Sequence, residues 1–339
     1  MKLHRRAARH ALNGGLRLLA VMLALMALAV PAYAYWESTR PPGIQLGEQV
    51  EVPLPEHPET LAGGMPSYDD GVIVLCYHDL SRKAEDPYAV TPRAFADQMA
   101  ALKASGFETV SLDEFNAHMA GEEVDLPERA LLVTFDDGTK SNWIYADPVL
   151  RELGFEATDF LITADVSQHQ PYYLLWEEVE AMQESGRWSF GSHTDDGHGF
   201  LATSKRGEEG PFLTNRAWLA NEKRLETRGE YEARISADLD RSIARMQAHG
   251  LPRPTAFAYP FSAVETSNDP VVSSLLNEML DERFADVLVN RTEDTFIQRG
   301  SANPLSRVEV FNGTTTQALL KQLRHTIEFG ETGRHTADE

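Results

Sequence analysis

Residues 130–138 read Ala-Leu-Leu-Val-Thr-Phe-Asp-Asp-Gly, an apolar run that ends abruptly in two aspartates and a glycine. A short apolar run with β-branched and aromatic residues predicts a buried strand over Ala130–Phe135. Consecutive side chains diverge where a chain leaves a strand, so one aspartate can bind a metal while its neighbour stays free as a base. An acidic turn is the alternative interpretation, because Asp-Asp-Gly is also a common turn composition.

Strands alternate with helical segments on both sides of this stretch. Thr91 and Pro92 predict the start of one helix, and Ser111 with Glu114 predicts a capping box for the next. Further strands are predicted at Gly71–Cys76, Ala157–Thr163, Trp188–Ser192, Thr255–Ala258, Phe284–Val289 and Arg307–Val310. Further helices are predicted at Trp143–Leu153, Leu175–Glu184, Tyr231–His249, Val271–Leu280 and Thr316–Ile327. This α/β alternation indicates a parallel sheet covered by helices, either a barrel or a doubly wound sheet.

Four polar clusters directly follow predicted strands. They are Tyr77-His78-Asp79, Asp136-Asp137-Gly138, Ser192-His193-Thr194 continuing to His198, and Tyr259-Pro260-Phe261. In a barrel, all four would converge on the rim at the carboxyl ends of the strands, where this architecture builds its active sites. We therefore favour a distorted (β/α) barrel that forms a single catalytic domain.

Three of the eleven histidines, His78, His193 and His198, directly follow predicted strands. His193 and His198 are separated by four residues of loop-like sequence, so both imidazoles can fold onto one ion. Together with one carboxylate of the aspartate pair they suit a divalent metal, zinc first, with cobalt or nickel as alternatives. Histidine pairs in loops are often incidental, and this pair gains weight because the two aspartates should face it across the rim.

The N-terminal residues 1–34 have the pattern of a secretory signal. A basic start is followed by an apolar run, Leu18–Val30, and by the cleavage pattern Ala32-Tyr33-Ala34. The run is shorter than the roughly 20 residues of a membrane-spanning helix, although an extension to Trp36 could serve as an uncleaved inner-membrane anchor. We therefore expect an exported protein, periplasmic or secreted.

The remaining organisation follows from composition. Residues 35–70 are proline-rich and predict an extended linker or a loosely packed arm, residues 71–329 form the catalytic domain, and residues 330–339 form a polar tail. The formal net charge of -21 argues against nucleic-acid partners, although a general solubility surface explains it as well as any cationic partner does. Cys76 is the single cysteine, so no intrachain disulfide can form. No particular protein partner is indicated.

Three motifs together resemble a known family. Thr-Phe-Asp-Asp-Gly at 134–138, Ser-His-Thr at 192–194 with His198, and Ala-Tyr-Pro-Phe at 258–261 are similar to motifs of the NodB-homology polysaccharide deacetylases, the carbohydrate esterases of family 4. The resemblance extends from about Val72 to Leu323. The early Tyr77-His78-Asp79, the gap between the histidines and the insertion around residues 216–231 most resemble the poly-β-1,6-N-acetylglucosamine deacetylases.

The resemblance implies a role for each matching residue. It makes Asp136 the catalytic base and His78 the general acid, and it makes the following residues the metal ligands: Asp137, His193 and His198. The chain departs from the family in two motifs: its C-terminal Leu323-Arg324-His325 lies in a predicted helix and is not counted as the family's Leu-x-His, and an Arg-x-Pro-Tyr motif is absent from the sequence. The arginine that commonly supports the base is therefore not identified, and Arg253 and Arg307 are both candidates.

The implied reaction is metal-dependent removal of N-acetyl groups from an exported polysaccharide, with Tyr259 and Pro260 as substrate contacts and a backbone N–H near Tyr259 at the oxyanion. Other aromatic residues near predicted loops could stack on sugars, namely Tyr77, Tyr172, Tyr173, Trp176 and Trp218. Alternatives are a deacetylase of peptidoglycan, chitin-like or O-acetylated glycans, a non-catalytic glycan-binding protein, and a glycosidase with two carboxylates.

Overall fold

Seven parallel strands close a barrel in the part of the chain that the computed structural model describes, which is residues 46–337 without 63, 69, 84 and 265–268. We number them β1 (Gly71–Tyr77), β2 (Ala130–Asp137), β3 (Ala157–Leu161), β4 (Trp188–Ser192), β5 (Ala256–Ala258), β6 (Asp286–Asn290) and β7 (Leu305–Glu309). Each strand pairs with the next along the chain, and β7 returns to pair with β1. The predicted barrel is confirmed, and the doubly wound alternative is wrong.

The strands are covered on both faces, which explains their uninterrupted apolar sequence. All seven residues of β1 are buried, and its residues 73–77 pair with residues 131–135 of β2. The contact between β4 and β5 is much shorter, with Ser192 and Phe257 as its one registered residue pair. The barrel wall is therefore least paired between these two strands.

Helices surround the barrel. We number them α1 (Pro92–Ala104), α2 (Leu112–Met119), α3 (Asp147–Leu153), α4 (Trp176–Glu184), α5 (Arg228–Ala248), α6 (Pro270–Asp281) and α7 (Thr316–Ala337). The Thr91 side chain accepts from the Ala94 N–H, and Ser111 and Glu114 cap each other reciprocally, both as predicted. A π-helical turn, Asn142–Ala146, precedes α3. Helix α7 continues through residues 330–337, which the sequence suggested as a polar tail.

Two apolar clusters hold the helices on the barrel. The larger one fills the barrel and the contacts of α1 to α4 and α7. The second cluster packs Tyr231, Ile235 and Leu239 of α5 against Phe257 of β5 and Leu276 of α6. Helix α5 is thereby fixed against the short β4–β5 contact, next to the rim of the barrel.

The sequence did not predict the short strands outside the barrel. Phe296–Gln298 runs antiparallel to β1, and Glu108–Thr109 pairs with β2. Two small hairpins, residues 200–211 and 218–225, occupy the polar insertion after β4. Strands of two or three residues are too short to show an alternating hydrophobic pattern in the sequence. Their positions therefore depend on tertiary contacts.

The described part of the proline-rich segment is an arm packed on the domain. The Val50 N–H donates to Ile144 O at 2.9 Å, and Trp143 Nε1 donates to Gly47 O at 2.6 Å. Val52 and Leu54 pack against the large cluster. The predicted signal and residues 35–45 lie outside the described residues. Among the helices that are described, none combines the length and apolar character needed to cross a membrane.

Asp286, the first residue of β6, has a buried carboxyl group whose pKa departs strongly from its usual value. Its side chain is 4% exposed, and within the described residues Oδ2 has no hydrogen-bond partner. Burial raises the pKa of Asp286 from 3.8 to about 7. The folded protein thus holds this proton more tightly than the unfolded chain does. The stability it contributes is complete below about pH 4 and is lost as the pH rises through about 7.

We therefore expect Asp286→Asn to stabilise the protein at neutral and alkaline pH. The gain in the free energy of unfolding should be larger at about pH 8 than at about pH 5.5, by roughly 2 kcal/mol. Denaturant unfolding at the two pH values measures this difference. Asp125→Asn, the same change at an exposed position, is the control, and an equal gain at both pH values would contradict the argument.

Candidate active site

A cavity of about 300 Å³ opens at the carboxyl ends of the barrel strands. All four predicted polar clusters line it, through His78 and Asp79, Asp136 and Asp137, His193 and His198, and Tyr259 and Phe261. The parallel strands bring these residues together because each cluster follows the carboxyl end of its strand. The chemistry predicted from separate motifs is therefore concentrated in one place.

The turn after β2 separates the two aspartates. Asp137 has a φ of 76° and Gly138 a φ of 73°, both in the left-handed region that side chains other than glycine seldom adopt. A Cβ on Gly138 would lie 2.8 Å from Leu161 Cδ2, and this contact together with the positive φ favours glycine there. Asp159 accepts from the Gly138 N–H and from Asn142 Nδ2, which fixes the turn. Asp136 consequently lies in the barrel interior, and Asp137 lies at the rim.

Asp136 forms a fully buried, two-pronged ion pair with Arg307 of β7. Arg307 Nη1 donates to Oδ1 at 2.7 Å, and Nη2 donates to Oδ2 at 2.6 Å. Burial alone would raise the pKa of Asp136, but the Arg307 guanidinium holds it well below its usual range. Arg253 is exposed, so Arg307 is the arginine that supports Asp136.

Asp137, His193 and His198 bring one ligand atom each to a common point. His193 Nε2 lies 3.5 Å from Asp137 Oδ1, and His198 Nε2 lies 3.4 Å from the same oxygen. His193 Nδ1 lies 2.8 Å from Ala258 O and donates to it, which leaves Nε2 as the free nitrogen.

The electrostatics of these three residues suit a cation. Burial lowers the pKa of His193 to about 3 and also lowers the pKa of His198, so both imidazoles are neutral. Burial raises the pKa of Asp137 to about 6, and its Oδ1 has no hydrogen-bond partner among the described residues. Two neutral nitrogens and one carboxylate form a donor set typical of a catalytic zinc site. The residues present therefore fit a divalent metal ion.

A second group, Cys76, His78 and Asp136, is also close enough to share an ion but suits one poorly. Burial raises the pKa of the Cys76 thiol well above its usual value, so the sulfur is not the thiolate that binds metals. Both Asp136 oxygens bind Arg307, whose charge would repel a cation beside them.

His78 faces Asp136 across the cavity. His78 Nε2 lies 4.0 Å from Asp136 Oδ2 and 3.8 Å from Glu309 Oε1, and Glu309 accepts from Asn290 Nδ2 at 2.8 Å. Thr139 Oγ1 donates to the His78 carbonyl at 3.3 Å, which ties the loop after β1 to the loop after β2. Sequence reasoning missed Glu309, although its place at the end of a predicted strand was a usable signal.

Helix α5 holds the loop that carries the two histidines. Buried Asp238 accepts from the Asp195 N–H at 3.0 Å and from the Asp196 N–H at 2.9 Å. The Asp195 carboxylate in turn binds Arg241 Nε at 2.8 Å and Arg245 Nε at 2.7 Å. Sequence reasoning missed these residues, but an aspartate on the apolar face of a predicted helix is a recognisable signal.

The aromatic residues predicted to contact sugars lie in different environments, some at the cavity and others in the apolar core. Tyr259 is 2% exposed, its hydroxyl donates to Asn277 Oδ1, and its N–H donates to Leu288 O, so that N–H is not available to an oxyanion. Pro260 is buried as well. Tyr77 and Trp176 belong to the large apolar cluster, and Tyr173 and Trp218 do not line the cavity. Tyr172 does line it and is exposed.

Phe261, two residues after Tyr259, presents an exposed aromatic ring to the cavity. It is 47% exposed, and its ring centre lies 4.4 Å from that of His198. Its φ of 56° turns the backbone at this point, so the exposed ring comes two residues later than expected.

Comparison with known proteins agrees with this geometry. Residues 123–277 match the polysaccharide deacetylase family. Poly-β-1,6-N-acetyl-D-glucosamine N-deacetylase of Escherichia coli K12 is 26% identical over 223 residues, which are 61% of this chain and 33% of the relative. The Staphylococcus epidermidis protein of that name is 28% identical over 56% of this chain and 58% of its own length. The chain thus spans about a third to three fifths of these relatives.

Solved structures show the same architecture. IcaB from Ammonifex degensii is 27% identical with a TM-score of 0.56, over 75% of this chain and 98% of that one. The BpsB deacetylase domain from Bordetella bronchiseptica, 21% identical, shares the fold with a TM-score of 0.61 over 73% of this chain and 98% of its own. The sequence match over residues 123–277, the barrel fold and the rim residues agree with one another, and all three resemble the polysaccharide deacetylase family.

Proposed function

We propose that this protein is a metal-dependent hydrolase that removes N-acetyl groups from poly-β-1,6-N-acetylglucosamine. The observation that carries the proposal is the meeting of a metal-binding triad, an ionised aspartate and a histidine in one cavity. The choice of polymer is supported by the names of the two relatives above, and by the early His78, which the resemblance ties to that branch.

Asp136 is the proton acceptor in this proposal. The fork of Arg307 keeps its carboxylate ionised and fixes its orientation, which leaves Oδ2 directed at the cavity beside His78. Asp137, His193 and His198 would hold a divalent ion, which would supply a Lewis acid to the site when bound. Asp136 is the carboxylate placed to accept a proton from a water molecule in the cavity.

His78 is the proton donor. An amide does not release its amine unless the nitrogen is protonated, so the reaction needs an acid on the leaving-group side. His78 Nε2 lies within 4.0 Å of the Asp136 carboxylate and 3.8 Å of the Glu309 carboxylate, which places the ring beside the proposed proton acceptor. Acetate and a glucosamine unit are the products.

The reaction takes place outside the cytoplasm in our proposal. The support is the sequence pattern of residues 1–34, with its basic start, apolar run and Ala-x-Ala site. A polymer too large to enter the cell would then meet the enzyme where the polymer is exported.

The substrate assignment is tested by acetate release from poly-β-1,6-N-acetylglucosamine, peptidoglycan fragments and chitin oligomers. We expect the first to be preferred. Release mainly from another glycan would change the substrate but not the chemistry. Shortened chains without acetate would indicate a glycosidase instead.

Chelation should abolish acetate release, and zinc, cobalt or nickel should restore it, because the triad offers no other group to replace the ion. His198→Ala should weaken metal binding, since it removes one of three ligands. His57→Ala, an exposed histidine of the arm, is the matched control. Full activity after complete removal of divalent metal would refute metal dependence.

Asp136→Asn should lower kcat by about 10²–10⁴-fold with little change in KM, because the variant cannot accept a proton. It also leaves the buried Arg307 charge unpaired, with an expected loss of about 3–5 kcal/mol in stability. Assays should therefore be run well below the melting temperature of the variant. Retained metal binding would show that the site is intact, and wild-type turnover in such a sample would sink the assignment.

Asp238→Ala should weaken metal binding about 10–100-fold, because it frees the loop that orients the two histidines. A cobalt titration followed by absorbance measures the affinity directly. Asp240→Ala, an exposed change on the same helix, is the control. Arg241→Ala, which removes an exposed guanidinium that contacts both Asp195 and Asp238, should have a smaller effect of the same kind, and unchanged affinity in both variants would contradict this role.

A further inference from the structure

The mouth of the cavity carries most of the exposed aromatic surface. Within the described residues seven large apolar side chains are exposed, and five of them line the cavity or contact a ring that does. These five are Tyr88, Tyr172, Phe200, Phe261 and Phe311. A concentration of this kind on a soluble protein marks a ligand or interaction surface.

Four of these rings form two pairs that continue outward from the reacting groups. On the metal side, Phe261 contacts His198, and Phe200 lies 4.9 Å beyond it between ring centres. On the acid side, Tyr88 lies 5.0 Å from His78, and Phe311 lies 5.7 Å beyond Tyr88. We call these the metal-side pair and the acid-side pair.

We propose that the two pairs are sugar-binding subsites on either side of the unit that is deacetylated, so that the enzyme acts on internal units of a chain. This inference rests on the proposed deacetylase function and adds how the polymer lies in the site. Phe200 and Phe311 do not line the cavity itself. The aromatic surface therefore extends beyond the cavity at two places, next to Phe261 and next to Tyr88.

The chemistry of this surface fits a carbohydrate. A pyranose ring presents apolar C–H groups on its faces and hydroxyl groups at its edges, so it binds best where aromatic rings alternate with acceptors. Asp79, Asp86 and Glu309 line the cavity among the aromatic rings and can accept from hydroxyl or ammonium groups. An extended chain bound here would meet rings and carboxylates together.

A lipid bilayer fits the same surface less well. The exposed rings surround a cavity lined with carboxylates, and the whole chain has a formal net charge of -21. Such a surface is repelled by anionic headgroups, and burying these carboxylates against lipid would be unfavourable. Membrane binding is accordingly the competing outcome in the test below.

The test compares Phe200→Ala and Phe311→Ala with wild type on a dimer and a hexamer of β-1,6-linked N-acetylglucosamine. We expect the ratio of kcat/KM on the hexamer to that on the dimer to fall about three- to tenfold in each variant, as for the loss of one aromatic stacking contact. Phe329→Ala, an exposed phenylalanine of α7 away from the mouth, is the matched control and should keep the ratio. An unchanged ratio in both mouth variants would overturn the subsites.

Binding of the hexamer, measured by calorimetry, separates this inference from the proposed function. If wild type releases no acetate but hexamer binding still depends on Phe200 and Phe311, the subsites stand and the activity is wrong. If acetate is released equally well from every length, the activity stands and the subsites are wrong. Binding to phosphatidylglycerol vesicles that is lost in the two variants, with hexamer binding unchanged, would assign the rings to a membrane and overturn the proposal.

Discussion

The ion pair between Asp136 and Arg307 connects the ends of the fold. Its partners are 171 residues apart in sequence, one on the second barrel strand and one on the last. Burying either charge alone would be strongly unfavourable, whereas the two-pronged pairing satisfies both Asp136 oxygens and two guanidinium nitrogens. The pair can form only after the last strand has closed the barrel. The pairing that keeps Asp136 ionised therefore exists only in the complete fold.

The neighbouring residue, Asp137, shows a second constraint of the same kind. Its left-handed backbone is unfavourable by on the order of 1–3 kcal/mol and persists because the surrounding structure holds it. Asp159, Asn142 and the absence of a side chain on Gly138 provide that support. Because the backbone turns at this point, Asp136 lies in the barrel interior while the adjacent Asp137 lies at the rim.

Sequence reasoning reached the barrel and the group of His78, Asp136, Asp137, His193 and His198 because strand ends can be read locally and parallel strands bring their ends together. The supporting residues depend on contacts across the barrel. Arg307 and Arg253 look alike in sequence, and only strand closure puts one of them inside. Phe200 lies in a small hairpin without a readable period, and the backbone turn at Phe261 moved the exposed ring away from Tyr259.

The short seam between β4 and β5 has a consequence for the environment in which the protein works. His193 follows β4 and Ala258 ends β5, so the bond from His193 Nδ1 to Ala258 O closes the seam where strand pairing is weakest. An ion that binds the other nitrogen of His193 holds the ring in place for that bond. By mass action, such an ion stabilises the closed barrel according to its free concentration. Under the proposed function, the metal supply of the surroundings would then affect the stability of the folded protein as well as its activity.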